Sequence, residues 1–232
     1  MSKSQELAIV LVSGGMDSLV TAALASTNHE HLAFLHLNYG QKTEKKELDC
    51  FQKIADHYNV DKKLRKIIDI SFLKQIGGSS LTDDGINVKD YHGDVPEIPD
   101  SYVPFRNTHI ISMAVSWAEV IGAKKIYIGA VYEDSSGYPD CRPSYYEAMN
   151  KLIAQGTKNG DISVITPVIL MSKDQIVKKA IELKAPLEFS WSCYAKEDKA
   201  CGVCDSCALR LRGFQKAGLE DPIEYETRPQ YN

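Results

Sequence analysis

No apolar run in this chain of 232 residues approaches the ~18–20 residues that a membrane-spanning helix needs, so a transmembrane reading is excluded. A signal peptide is also not expected. The start Met1-Ser2-Lys3-Ser4-Gln5-Glu6 leads through its apolar run into a glycine turn instead of a cleavage site. Basic residues are not in excess: 27 Lys+Arg stand against 31 Asp+Glu, a net charge of −4, which argues against a broad face for nucleic acid. None of the six histidines is paired at metal-ligand spacing. Cysteines are not spread in the manner of a disulfide scaffold; four of the six fall within fifteen residues. With 44% hydrophobic and 25% charged residues, the expectation is a soluble, cytoplasmic protein without membrane or nucleic-acid partners. The length suits one large α/β domain with an appendage.

What the chain does contain starts at residues 7–12, Leu-Ala-Ile-Val-Leu-Val, which read as a strand buried on both faces of a parallel sheet. Ser13-Gly14-Gly15-Met16-Asp17-Ser18 then forms a tight turn into a helix beginning with Leu19 and Val20. Strand, glycine turn and helix N-terminus together bind phosphate, because backbone N–H groups and the positive helix end converge on one point. Gly14 and Gly15 let the backbone approach an anion. Ser13 and Ser18 add hydroxyl donors, and Asp17 suits a divalent cation bridging phosphate oxygens. The turn has no lysine, so it is not a Walker loop, and no third glycine, so it is not a dinucleotide fingerprint.

Downstream, strands are expected at 31–37, 63–70, 125–130 and 162–168, with helices at 42–58, 108–121, 144–155 and from Ser172 to about residue 184. Ser172-Lys173-Asp174-Gln175 reads as a capping box. In helix 144–155 the inward face should carry Tyr145, Ala148, Met149, Leu152 and Ile153. Helix 108–121 is apolar nearly all round, which suits burial against the sheet and a second subunit. Alternating strands and helices indicate an α/β fold with a doubly wound parallel sheet, whose ligands bind at the carboxyl ends of the strands. Residues 77–101, rich in glycine, proline and aspartate, should form an irregular loop, a lid or border of the site. The division expected is an α/β domain over 1–185 and a metal-binding module with its tail over 186–232.

That module rests on Cys193, Cys201, Cys204 and Cys207. Two overlapping C-x-x-C units turn thiolates onto one ion, and four thiolates complete tetrahedral Zn²⁺, leaving no position for water; one structural zinc is expected, with an Fe–S cluster or a redox dithiol as alternatives. The loop at 133–142 offers carboxylates (Asp134, Asp140), a ring (Tyr138) and a guanidinium (Arg142), a set suited to a flat heterocycle. Arg106 and Asn107, at a helix start, are equally explained by capping or an exposed ion pair. Cys141 lies in the loop, outside the cysteine cluster, where a persulfide role in sulfur delivery is chemically possible.

The S-G-G-x-D-S turn resembles the PP-loop of ATP pyrophosphatases, which split ATP into AMP and pyrophosphate. Four blocks together narrow the resemblance: Ser13–Ser18, Tyr102-Val103-Pro104 with Arg106-Asn107, Asp134 with Gly137-Tyr138-Pro139-Asp140-Cys141-Arg142, and the cysteine knuckle with Leu209-Arg210. In that order they resemble the 7-cyano-7-deazaguanine synthase family of queuosine-precursor (preQ0) biosynthesis. The resemblance implies an ATP-dependent ligase, usually a homodimer, that converts 7-carboxy-7-deazaguanine and ammonia to the nitrile through an amide, with Mg²⁺ on the nucleotide. It implies ATP along Leu11, Val12, Ser13, Gly14, Gly15, Met16, Asp17, Ser18, Leu19 and Val20, with Ser13, Asp17 and Ser18 as catalytic groups. It implies base contacts from Arg106, Asn107, Asp134, Tyr138, Asp140 and Arg142. Phe105 stands where that family commonly has a small residue, often glycine, and Ser144 near a position that is often acidic. The competing expectations are a PP-loop enzyme that modifies tRNA by thiolation or lysidine formation, a relative with another acceptor, and a non-enzymatic nucleotide sensor.

Overall fold

The computed structural model describes residues 3–93, 98–132 and 137–231. Its centre is a sheet of five parallel strands: β1 Ala8–Leu11, β2 Leu32–Asn38, β3 Arg65–Asp69, β4 Lys125–Ile128 and β5 Ser163–Ile165, in the order β3-β2-β1-β4-β5. The helices are α1 Met16–Asn28, α2 Glu44–His57, α3 Phe72–Ile76, α4 Arg106–Ile121, α5 Pro143–Gly156, α6 Lys173–Glu182 and α7 Asp205–Ala217.

Successive side chains of a strand point to opposite faces, and β1 divides its residues accordingly. Ile9 and Leu11 pack with Ile111 and Ala114 of α4 and with Tyr146, Met149 and Ile153 of α5. Ala8 and Val10 pack on the other side with Leu19 and Val20 of α1, Phe51 and Ile54 of α2, and Ile176 and Val177 of α6. Both faces are covered, which is why β1 and β4 read as continuous apolar runs. The order in which strands are added reverses between β1 and β4, so a crevice opens at the carboxyl ends of those two parallel strands.

The expected elements are present, and the differences have local causes. Strand β3 is shorter than 63–70 because Lys62–Leu64 forms a 3-10 turn, with Asp61 accepting from Lys63 N. Strand β5 stops at Ile165, two residues before Pro167, which has no N–H for a ladder. In α5 the inward face is Tyr146, Met149 and Ile153; Leu152 is 63% exposed, and Ala148 also faces solvent. The rotation is set by Asn150, whose amide donates to Val164 O (3.1 Å) and accepts from Val164 N (2.7 Å), pairing the outer edge of β5. Only one side of α4 is buried, through Asn107, Ile111, Ala114, Trp117 and Ala118; Val120 is 82% exposed. The described part of 77–101 is irregular but anchored. Ser79, Ser80, Leu81 and Thr82 are buried, Lys42 N donates to Leu81 O (3.1 Å), and Tyr91 N donates to Val203 O (2.7 Å).

Gly129, immediately after β4, lets α1 close on the sheet. A Cβ built there would lie 2.7–2.8 Å from the backbone of Asp17 and Ser18, where nothing flexible can yield. Gly129→Ala should therefore cost about 1–3 kcal/mol, as overpacking does. Denaturant unfolding should show that loss together with weakened nucleotide binding, because the displaced atoms belong to the turn.

Candidate active site

The turn after β1 is drawn tight by its own hydroxyls. Ser13 Oγ accepts from Gly15 N (3.2 Å) and donates to Ser18 Oγ (3.1 Å), and Ser18 Oγ donates to Gly15 O (2.9 Å). Gly14 has φ +92°, and a Cβ on it would lie 2.6 Å from Glu47 O. No side chain caps α1, so its first N–H groups are left for a ligand. From across the molecule, Lys173 at the start of α6 reaches Asp17, its Nζ 2.7 Å from Oδ2. Asp17 Oδ1 is buried without a hydrogen-bond partner among the described residues. A cationic amine, an unfilled carboxylate oxygen and open helix N–H groups fit a metal-bound polyphosphate.

The turn forms one wall of a cavity of about 250 Å³ over the β1–β4 crevice. Residues of β1, α1 and the Gly129-Ala130-Val131 exit line one side, and Tyr39, Glu47, Arg106, Asn107, Tyr138 and Cys141 line the other. Arg106 stacks on Tyr39 with its guanidinium carbon 5.1 Å from the ring centroid, and donates to the Tyr39 hydroxyl (3.2 Å). Burial pushes the Tyr39 phenol above its ordinary range. Tyr138 is buried and donates to Ser101 Oγ (2.9 Å). This wall of two phenols and a guanidinium suits a planar, hydrogen-bonding ligand with an anionic substituent.

The residues expected from sequence fall in three groups. Of the nucleotide set, Leu11, Val12, Ser13, Gly15, Met16, Asp17 and Ser18 line the cavity; Gly14 lies outside the lining, packed on α2, and Leu19 and Val20 are core side chains behind the turn. Of the base-binding set, Arg106, Asn107 and Tyr138 line it. Asp140 is buried behind them, its Oδ2 accepting from Asn107 N (3.0 Å) and its backbone carbonyl accepting from the Asn107 amide (3.0 Å). This pair fastens the start of α4 to the 138–141 turn. Arg142 is exposed and outside the lining, and Asp134 lies outside the described residues. Phe105 and Ser144 are also not lining residues. Phe105 adopts φ +59°, ψ +19°, the left-handed region that favours glycine, so its departure from the family pattern is one of backbone conformation. Burial pushes the Cys141 thiol up to about 11, the reverse of what a nucleophilic thiolate needs.

Sequence inspection missed Tyr39, Glu47, Lys173, Trp191 and Tyr194, all in the lining. The only signal was positional: Tyr39 follows the second strand and Trp191 precedes the first clustered cysteine. Lys173 was hidden inside its capping box, which is present. Glu47 sits on what reads as the polar face of α2, yet desolvation raises its carboxyl to about 7 despite hydrogen bonds from Thr43 and Gln41.

The four cysteines converge behind the cavity. Their sulfurs all lie within 4.8 Å of one another, all four residues are buried, and Cys201 and Cys207 sulfurs are 3.9 Å apart. Tetrahedral coordination at about 2.3 Å gives sulfur separations of roughly 3.8 Å, so the cluster fits one metal ion. Backbone N–H groups of Ala195 and Cys201 point at Cys193 Sγ (3.4 Å each), and those of Val203 and Cys204 at Cys201 Sγ (3.5 and 3.3 Å), which favours thiolates. The knuckle is tied to the turn through Trp191, whose N–H donates to Gly14 O (2.8 Å). Arg210, 1% exposed, holds Asp221 through two bonds of 2.6 and 2.9 Å, packing α7 beneath.

A family model described as "Queuosine biosynthesis protein QueC" matches residues 7–218. The 7-cyano-7-deazaguanine synthase of Chlorobaculum parvum is 59% identical over 225 residues, covering 97% of this chain and 98% of that protein. The proteins of the same name from Chlorobium phaeobacteroides and Chloroherpeton thalassium are 59% and 58% identical over 97% of this chain and 99% of each.

Two outcomes follow from the thiol environments. Cys204→Ala should lower the melting temperature by several degrees and remove bound metal in the same preparation, as read by calorimetry and elemental analysis. Cys141→Ser should leave the turnover rate within a few-fold of the unmodified protein, because a protonated, buried thiol delivers no sulfur.

Proposed function

The chain belongs to the queuosine biosynthesis QueC family, and from that membership we propose that it forms 7-cyano-7-deazaguanine from 7-carboxy-7-deazaguanine, ammonia and ATP. The observation that carries this is identity of 59% to a synthase of that name across nearly the full length of both chains. Among the described residues no helix is long and apolar enough to cross a membrane.

The residues divide the work. A carboxylate is a poor electrophile, so it must first displace pyrophosphate from ATP and gain AMP as a leaving group. The free N–H groups of α1 and Lys173 hold the phosphates where negative charge builds up, and the hydroxyls of Ser13 and Ser18 hold the turn in shape around them. Mg²⁺ would neutralise phosphate charge, and Asp17, whose Oδ1 is buried without a hydrogen-bond partner among the described residues, is the residue that would hold it. Tyr39, Arg106 and Tyr138 set the base and its carboxylate against the α-phosphate, converting a bimolecular encounter into an oriented one. Ammonia then gives the amide. A second adenylation, now on the amide oxygen, makes that oxygen leave as the nitrile forms.

Zinc is the metal best matched to Cys193, Cys201, Cys204 and Cys207: the donor set is all thiolate and closed, so the ion is structural and residues 186–232 are its module. Reduced thiols of this kind persist in the cytosol, and that is the compartment we propose for the enzyme. A homodimer is favoured by apolar surface around α3 and the start of α4, where Phe72, Ile76 and Phe105 are 48%, 64% and 57% exposed.

Mass spectrometry after incubation with ATP, ammonium and the carboxylated base should show the amide and then the nitrile, with AMP and pyrophosphate released in each activation. Equal ATP turnover without the base would overturn the assignment.

A further inference from the structure

The proposed conversion removes a proton from nitrogen three times. Ammonia attacking the adenylated carboxyl forms the C–N bond as a cationic centre with three N–H bonds; one proton must leave before AMP departs and the amide remains. After the amide oxygen is adenylated, nitrogen gives up its other two protons while the carbon–oxygen bond breaks, AMP leaves with the electron pair and the C≡N bond forms. Water is a weak acceptor for these steps, so a base beside the reacting carbon would act repeatedly in each turnover.

The described cavity wall contains few groups able to serve. Asp17 is held by Lys173, the Cys141 thiol is pushed up to about 11, and burial raises the Tyr39 and Tyr194 phenols. We propose that Glu47 is the proton acceptor of this site, taking protons from the attacking ammonia and from the amide nitrogen during dehydration. This rests on the function proposed above.

The placement is specific. Glu47 lines the cavity from α2, and its backbone carbonyl lies against Gly14, so the carboxylate is fixed relative to the phosphate turn. Thr43 Oγ1 donates to one carboxylate oxygen (2.8 Å) and Gln41 Nε2 to the other (3.0 Å). Each oxygen keeps a further lone pair, and no ion pair clamps the group among the described residues. The charged and titratable groups facing it are the Arg106 guanidinium from α4, the Tyr39 phenol after β2, the Cys50 thiol one turn on in α2, and Glu197, which also accepts from Lys45 N and Lys46 N at the start of α2. Arg106 favours the carboxylate and Glu197 opposes it, so burial prevails and the acid form persists to about pH 7. A base near that value is ionised in neutral water yet holds a transferred proton long enough to hand it on.

The test is run on preparations in which the unmodified enzyme makes the nitrile, which separates it from the test of the function itself. Glu47→Gln should lower kcat for nitrile formation about 100-fold, in the range of lost general-base catalysis, with KM for ATP within about three-fold. In the unmodified enzyme kcat should fall as pH drops through about 7, because protonation silences the base; this acid limb should vanish in Glu47→Gln. Glu47→Asp keeps a carboxylate and should restore part of the rate and the limb. A rate within five-fold of normal in Glu47→Gln, or an acid limb that survives there, would overturn the proposal. So would matching rates and pH profiles in the Gln and Asp variants, since the carboxylate would then serve only the packing of α2.

Discussion

Gly14 is held from three directions, and the site depends on that. Its left-handed backbone turns the chain from β1 into α1, its α-carbon lies against the carbonyl of Glu47, and its own carbonyl accepts the Trp191 N–H. A side chain would collide with backbone of α2 at 2.6 Å. One residue with no side chain thereby joins the nucleotide turn, the helix carrying the Glu47 carboxylate and the segment entering the cysteine knuckle. The site is assembled by backbone contact, which tolerates far less displacement than side-chain packing.

Gly129 supplies the same closeness from the other strand of the crevice. The N-terminus of α1 is seated beyond the carboxyl ends of β1 and β4, and Lys173 arrives from α6 to meet Asp17. The polyphosphate pocket is thus rigid on its β side, whereas the opposite wall is built from stacked, mutually polarised groups. Arg106 lies on Tyr39, and Tyr102 packs near Tyr138 at 5.6 Å between ring centroids. Buried phenols beside a half-buried guanidinium give that wall oriented hydrogen-bonding groups, which act most strongly on developing charge where solvent is excluded.

Much of this was legible in the sequence because the signals were local. A six-residue apolar run, the S-G-G-x-D-S turn and the overlapping C-x-x-C units each carry their chemistry within a few positions, and all three stand where expected. Glu47 and Lys173 were not legible, because helical periodicity counts any charged residue as solvent-facing; only the placement of α2 and α6 beside the β1 exit turns them inward. The face of α5 was misjudged for a related reason. Asn150 is not part of the apolar pattern, yet its amide completes the edge of β5 and rotates the helix. Asp140 was legible as important and illegible in role, since nothing local says that its oxygen caps the backbone of Asn107 thirty-three positions earlier.

The bond from Trp191 to Gly14 also has a temporal side. A ribosome delivers the phosphate turn early and the residues that secure it from behind much later, after every strand of the sheet has been made. An interrupted translation product would carry the whole nucleotide motif and yet leave the Gly14 carbonyl without its donor and the cysteine knuckle unclosed. The turn that opens the chain is thus completed only by residues from its last fifth.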